Sequence, residues 1–106
     1  MRGPIAQRSI IVRRADGNEI TAVIQIGRPE ETGEGDWSCG VEVVGIDKQR
    51  SILGIDRAQA LQLAADFLVR RLEFLTERSA SLLSLPDREP LTPAEAVPRV
   101  GDDVSA

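Results

Sequence analysis

Apolar and polar residues alternate along several short segments in the first half of the chain. In residues 19–27 the apolar side chains occupy every second position, which is the period of a β-strand with one buried face. Residues 5–14 are also rich in β-branched side chains, and the Asp16-Gly17 pair between the two segments is a hairpin signal. The pattern predicts that these two segments pair as antiparallel strands.

The alternation resumes after a stretch rich in glycine and acidic residues. Residues 37–46 place Trp37 and Cys39 on one face of a strand, and Asp47-Lys48 then predicts a turn into a short strand at residues 49–55. Four consecutive strands with short connections favour an antiparallel meander. The second face of that sheet would carry Val23 and Val44.

The hydrophobic period changes from a strand to a helix at Asp56. Asp56 followed by Gln59 has the spacing of an N-terminal capping box, and the helix is expected to run to about Arg78. Its apolar arc spans roughly 200°, about twice the width that one packing surface needs. This arc contains Ala60, Leu61, Leu63, Ala64, Ala65, Phe67, Leu68, Leu72, Phe74 and Leu75.

Prolines and acidic residues dominate the end of the chain. The sequence predicts a single α+β domain over residues 1–85, followed by a disordered tail over residues 86–106 that folding does not require. A short helical turn that begins at Pro93 is compatible with this composition. The predicted fold is therefore a four-stranded antiparallel meander with one long helix packed on one face.

Composition narrows the classes of function. A chain of 106 residues with a net charge of -4 holds one domain and has no basic cluster for nucleic acid. Its single cysteine cannot form an internal disulfide, and no apolar run is long enough for a signal peptide or a membrane span. We expect a cytoplasmic protein that binds neither nucleic acid nor membranes.

The strongest candidate for chemistry is the stretch from Gly27 to Cys39. Its four carboxylates lack the spacing of a calcium loop, and its glycines do not form a phosphate-binding motif. The chain has no histidine, and a lone cysteine on the buried face of a strand is unreactive. We expect no catalytic residues, no metal ligands and no cofactor, and we interpret this stretch as a connecting loop.

Several short motifs nevertheless form a signature. They are Ile-Gly-x-Pro before the acidic loop, Asp-Trp-x-Cys after it, and Gly-x-Asp-x-x-Gln-Ala-Leu at the helix start. Over residues 5–75 this pattern resembles a family of small bacterial proteins known only as a domain of unknown function. The resemblance implies no activity, substrate or ligand. The residues that carry it are Ile26, Gly27, Pro29, Asp36, Trp37, Cys39, Gly54, Asp56, Gln59, Ala60 and Leu61.

Two functional hypotheses follow. The first is a non-catalytic interaction module that forms a two-fold homodimer or binds another protein, as an adaptor or an immunity-type inhibitor of a toxin. The second is a small-molecule-binding protein or weak enzyme with a pocket near Trp37, Cys39 and Asp36. The sequence does not decide whether the helix or the sheet makes the contact in the first case. The candidate interaction residues are Trp37, Leu63, Phe67, Phe74, Val23 and Val44.

Overall fold

A computed structural model describes residues 3–100 of the chain. It has an α+β fold in which the main helix packs on one face of an antiparallel sheet. The elements in chain order are β1 (Ala6–Arg13), β2 (Glu19–Ile26), β3 (Glu30–Glu31), β4 (Trp37–Val44), β5 (Arg50–Gly54), α1 (Arg57–Glu77), β6 (Ser81–Ser84), β7 (Pro90–Leu91) and α2 (Pro93–Ala96).

The sheet contains the predicted meander and extends beyond it. β1 pairs with β2, β2 with β4, and β4 with β5, all in antiparallel register. β6 then pairs with the other side of β1, β7 pairs with β6, and β3 pairs with β4 on the same side as β2. The predicted count of four strands is wrong because the sheet has seven strands within residues 3–100.

The start of α1 is fixed by a helix cap and by a close contact at Gly54. The Asp56 carboxylate accepts a hydrogen bond from the Gln59 backbone N–H at 2.7 Å, and the Gln59 side-chain oxygen accepts one from the Ile55 N–H at 2.7 Å. A Cβ atom on Gly54 would lie 2.5 Å from the backbone nitrogen of Ala60. Glycine at position 54 therefore allows the first turn of α1 to lie directly against the end of β5.

The core lies between the helix and one face of the sheet. α1 buries Ala60, Leu61, Ala64, Leu68 and Leu72. Among the described residues, the core holds no buried polar or charged residue, and no helix is long and apolar enough to cross a membrane. The sheet contributes Ile10, Val12, Ala22, Ile24, Ile26, Cys39, Val41, Val43 and Leu82 to the same cluster.

The structure differs from the sequence prediction over residues 86–100. The Thr92 hydroxyl and the Glu95 carboxylate form a capping box at the start of α2. Ala96 is fully buried in the core, and Arg8 donates a hydrogen bond to the Glu95 backbone oxygen at 2.6 Å. Residues 86–100 therefore pack on the domain, held by the capping box of α2, the burial of Ala96 and the hydrogen bond from Arg8. The rest of the predicted tail, residues 101–106, lies outside the described residues.

The C-terminal segment also accounts for part of the wide apolar arc of α1. Ala58, Ala65 and Val69 lie on the side of α1 that faces residues 94–100 across a groove of about 340 Å³. Val97 and Val100 pack against the core from the same segment. We call this side of α1 the covered flank. The apolar residues on the opposite side of the arc have no such cover from the described chain.

Candidate interaction surface

The signature residues gather where β4 and β5 meet the start of α1. Trp37 pairs with Gly54 across the β4–β5 ladder. The Gly27 backbone N–H donates to the Gly40 carbonyl oxygen at 2.7 Å and thereby continues the β2–β4 ladder past Ile26. Together with the cap at Asp56, these contacts join the ends of three strands to the helix. The signature therefore describes a structural corner.

Cys39 lies at the bottom of this corner and is fully buried. Its Sγ atom lies 3.3 Å from the Gly27 carbonyl oxygen, to which the thiol donates. Burial raises the pKa of the Cys39 thiol to about 11, because the surrounding apolar side chains disfavour the thiolate. The thiol is thus protonated at neutral pH, which is the opposite of what a nucleophile requires.

The acidic stretch forms a short hairpin. β3 pairs with the start of β4, and the Thr32 N–H donates to the Asp36 carbonyl oxygen at 3.0 Å across the turn. Gly33 and Gly35 have positive φ angles of 90° and 95°, which glycine adopts without strain. In the part of the chain that the structure describes, no group of three or more His, Cys, Asp or Glu residues could hold a metal ion.

The residues of the small-molecule hypothesis do not share one pocket. Asp36 and Trp37 line a groove of about 300 Å³ together with Glu31. Cys39 does not line this groove, because its side chain is enclosed in the core. Trp37 is half-buried, packs against the core, and has the Arg57 guanidinium 5.2 Å from its ring centroid. Trp37 thus acts as part of the structural corner.

Three candidate interaction residues lie together on α1. Leu63, Phe67 and Phe74 follow one another at helical spacing on the side opposite the covered flank. We call this side of α1 the open flank. The Arg50 guanidinium lies 5.8 Å from the Phe67 ring centroid, which places the open flank beside β5. Arg71 and Arg78 lie 5.0 Å and 4.5 Å from the ring centroid of Phe74.

The open flank lies on the β5 side of α1, and two more exposed apolar residues lie at or just after the end of β5. Leu53 is on the sheet face away from α1, because its neighbour Ile52 packs against the core. The exposed fractions are 40% for Leu63 and Phe74, 56% for Leu53 and 71% for Ile55. Six large hydrophobic residues are exposed in the described part of the chain, and these are four of them. Exposed apolar surface is therefore concentrated along one edge of the molecule, in both the helical layer and the sheet layer.

Val23 and Val44 form a smaller patch on the sheet face that points away from α1. They are paired directly across β2 and β4. Polar neighbours surround them, since Ser9 lies opposite Val23 on β1 and Gln25 donates to Gln7 at 3.1 Å nearby. The structure therefore separates the six candidate residues into the open flank, the two-valine patch and Trp37 at the corner.

Sequence reasoning did not single out Leu53, Ile55 or Asp47. Residues 49–55 are the last strand of the predicted meander and so an edge strand, but the alternation does not indicate that Leu53 and Ile55 stay exposed there. The sequence indicates only a turn at Asp47. Its carboxylate accepts two hydrogen bonds from the Arg71 guanidinium, and these bonds raise the pKa of Arg71. A lone acidic turn residue gives no signal of a partner 24 positions away.

A second ion cluster holds the loop before β7. The Glu19 carboxylate binds both Arg13, at 2.8 Å, and Arg88, at 2.6 Å. The hydrogen bonds from Arg88 and Arg13 lower the pKa of Glu19. Because all three side chains are partly exposed, this cluster fixes the loop more than it stabilises the fold.

Comparison with known proteins identifies a family but no activity. Neither the curated proteins nor the solved structures gave a match. A family model described as a domain of unknown function, DUF6968, matches residues 6–91. This range runs from the first strand through β7 and includes the structural corner and the open flank. The chain therefore belongs to the DUF6968 family of domains of unknown function.

Proposed function

We propose that this protein is a non-catalytic interaction module that forms a two-fold homodimer through the open flank. The observation that carries the proposal is that four of the six exposed large hydrophobic residues in the described chain, Leu53, Ile55, Leu63 and Phe74, belong to the edge strand β5, the residue after it and the side of α1 beside it. A monomer gains nothing from leaving such a strip in water, and two-fold pairing is the commonest way for soluble proteins to bury one. An adaptor or an immunity-type inhibitor in the bacterial cytoplasm is the role that we associate with this module.

The flanking arginines support protein binding. Arg50, Arg71 and Arg78 lie against the rings of Phe67 and Phe74, so the apolar strip carries guanidinium groups along its length. Aromatic residues and arginine are enriched at protein interfaces. The Arg71 head group is already bound to Asp47 and lies 5.0 Å from the Phe74 ring centroid.

The two-valine patch is the less favourable contact surface. Val44 is 36% exposed, and polar side chains on β1 and β2 lie beside it. A small apolar area within a polar sheet face is normal for an antiparallel sheet with one solvated side. The small-molecule hypothesis is also weaker, because Cys39 is enclosed and the groove at Asp36 and Trp37 is lined by carboxylates and glycines.

The proposal is tested by measuring mass in solution. Size exclusion with light scattering should give twice the chain mass of 11.5 kDa at micromolar concentrations. Leu63→Lys should reduce this mass to that of one chain, because a charge would be buried against the partner. Val44→Lys is the matched control, since Val44 and Leu63 are similarly exposed at 36% and 40%. Circular dichroism checks that both variants keep their fold.

Each outcome has one interpretation. A single-chain mass for the wild type across the concentration range would overturn the dimer. A dimer that survives Leu63→Lys but dissociates with Val44→Lys would move the contact to the two-valine patch. A dimer that dissociates only with Leu63→Lys supports the open flank.

A further inference from the structure

We propose that the two copies join by strand addition, with β5 of one copy pairing antiparallel with β5 of the other. This inference rests on the dimer proposed above and specifies the residues that make it. The two sheets would become one continuous sheet across the two-fold axis, with the two α1 helices side by side on one face. Main-chain hydrogen bonds of this kind are a common way for an exposed sheet edge to bind a partner.

Backbone groups of Ser51 and Leu53 point away from the sheet. In an antiparallel ladder, the N–H and C=O groups of alternate residues point to opposite sides. The Gly40 carbonyl accepts from Gly27, so the even residues of β4 face β2 and β3, and the odd ones face β5. Cys39 pairs with Ile52, which therefore directs its backbone groups inward. Its neighbours Ser51 and Leu53 direct theirs outward.

The outer side of β5 lacks the usual protection of a sheet edge. No strand in residues 3–100 pairs with it. Natural edges are shielded by short strands, prolines, bulges or charged side chains. The opposite edge of this sheet meets that description, because β7 has only two residues and one of them is Pro90. β5 has five residues, and Arg50, its one charged residue, lies over Phe67 on the helical side.

The available backbone groups select one register. Ile55 already donates its N–H to the Gln59 side chain, which leaves Ser51 and Leu53 to make the new ladder. The register that uses only these two residues pairs Ser51 with Leu53 of the other copy, and places Ile52 opposite Ile52 on the axis. Arg50 would then lie diagonally across from Asp56 of the other copy, at roughly 7–8 Å between backbones, a distance that an arginine side chain spans.

The position of α1 fits this arrangement. α1 contacts both β4 and β5, so its axis lies above the two strands nearest the edge. With strands about 4.8 Å apart, the two-fold axis would place the two helix axes about 10 Å apart, which is the usual packing distance. Gly54 lies against Ala60, and Arg50 lies over Phe67. Because Leu63 is about midway between Ala60 and Phe67 along the helix, it lies above Ile52, which is midway between Gly54 and Arg50. Leu63 would therefore meet its own copy on the axis.

The size of the edge is adequate for a specific dimer. Because the two helices would run antiparallel with Leu63 on the axis, residues 57–69 of each would overlap, a length of about 20 Å, and the helical and sheet layers together are about 20 Å deep. The projected area is therefore about 400 Å² per partner, which surface roughness brings near the roughly 1,000 Å² in total that a small specific interface buries.

The first test removes an outward N–H group. Leu53→Pro deletes a donor that the monomer does not use, and proline is tolerated on edge strands where the N–H points to solvent. In light scattering, the variant should have the mass of one chain while its circular dichroism matches that of the wild type. A folded Leu53→Pro variant that remains a dimer at the wild-type concentration would overturn strand addition, yet leave the helical contact of the proposed function intact.

The second test is a cross-link that does not depend on the proline variant. Ile52→Cys would place two thiols opposite each other in a non-hydrogen-bonded pair, with Cα atoms about 4.5 Å apart, within the range for a disulfide. Leu53→Cys is the matched control, because residue 53 faces Ser51 and not its own copy. Under mild oxidation, Ile52→Cys should form the covalent dimer at least about tenfold faster than Leu53→Cys.

The wild type controls for background cross-linking, since its one cysteine, Cys39, is buried. Equal rates for the two variants, a faster rate for Leu53→Cys, or no cross-link in a sample that light scattering shows to be dimeric would overturn the register. A wild-type sample that is monomeric throughout would instead overturn the proposed function itself.

Discussion

The two flanks of α1 carry similar apolar side chains but have different neighbours. On the covered flank, Ala58, Ala65 and Val69 face residues 94–100 of the same chain. On the open flank, Leu63 and Phe74 are 40% exposed, and the Arg71 and Arg78 guanidinium groups lie over the Phe74 ring. On either side of the face of α1 that packs on the sheet, the chain therefore covers one flank itself and leaves the other to water or to a partner.

This difference explains what a wide apolar arc can and cannot predict. The arc width correctly indicated that one sheet face is not enough to bury the helix. It did not indicate what covers the rest of the apolar arc, because the covering segment can come from the same chain or from a partner. The C-terminal segment has few apolar residues, yet Ala96 and Val97 reach the core from it. Only the open flank therefore bears on a partner.

Removal of the C-terminal segment should have the largest effect. A chain that ends at Leu85 loses β7, α2 and the contacts of Leu91, Ala96 and Val97 with the core. We expect a loss of about 3 kcal/mol in the free energy of unfolding and a fall of about 15 °C in Tm, since burial of the Leu91 and Val97 side chains contributes on the order of 1.5 kcal/mol each. Thermal denaturation followed by circular dichroism measures both.

A chain that ends at Val100 is the matched control, because it keeps every contact of the covered flank that is described above. Its melting temperature should equal that of the full chain. If the chain ending at Leu85 melts within about 3 °C of the full chain, the contrast between the two flanks is wrong, and residues 86–100 are the dispensable tail that their composition predicts.

The free energy of unfolding should fall at alkaline pH because the Cys39 thiol is buried in the core. The thiol has an ordinary pKa of 9.0, which applies to the unfolded chain, and a pKa of about 11 when folded. Below pH 9 both states keep the proton and stability is complete. Between pH 9 and 11 the unfolded state loses its proton first, so stability should fall as pH rises, by about 2–3 kcal/mol in total.

Denaturant unfolding at pH 8 and pH 10.5 measures this fall. The background is small because the chain has no tyrosine and Lys48 is its single lysine. Cys39→Ala is the control, and its stability should be nearly independent of pH over this interval. An equal dependence on pH in the two proteins would show that the thiol is not enclosed as described.

The sequence predicted those elements whose signals are local. The four strands at residues 5–14, 19–27, 37–46 and 49–55 correspond to β1, β2, β4 and β5, and the cap at Asp56 was identified from its spacing to Gln59. In each of these segments the apolar period extends over several residues. The predicted boundaries of these four strands thus differ from the structure by no more than two positions.

The elements that were missed depend on distant partners. β6 has the sequence SLLS, whose two leucines point to opposite faces, so it has no period to detect. Its partner β1 lies about 70 positions earlier, as in the pair of Ile10 with Ser84. β3 consists of two exposed glutamates that pair only because the turn at Gly33 and Gly35 folds them back on β4.

The cap at Asp56 should stabilise α1, the helix that carries both flanks. Asp56→Ala removes the acceptor of the Gln59 N–H and should lower the free energy of unfolding by about 1 kcal/mol. The dimer should persist when the folded protein is at saturating concentration. Asp56→Asn is the matched control, since asparagine also caps helices and should retain most of the stability. A stable Asp56→Ala protein that no longer dimerises would assign this carboxylate to the interface.

The smallest expected effect is on the stability of the open flank. Leu63→Ala removes an apolar side chain that is 40% exposed, so the monomer should lose no more than about 0.5 kcal/mol. Leu68→Ala, one turn further along the same helix, removes a fully buried side chain and should cost about 2–5 kcal/mol.

Denaturant unfolding must be compared at protein concentrations low enough to favour the monomer, because dimerisation adds its own stability at high concentration. If Leu63→Ala costs as much as Leu68→Ala under those conditions, the open flank is part of the monomer core. If its cost instead grows with protein concentration, the leucine acts between copies, which is the behaviour that separates the open flank from the covered one.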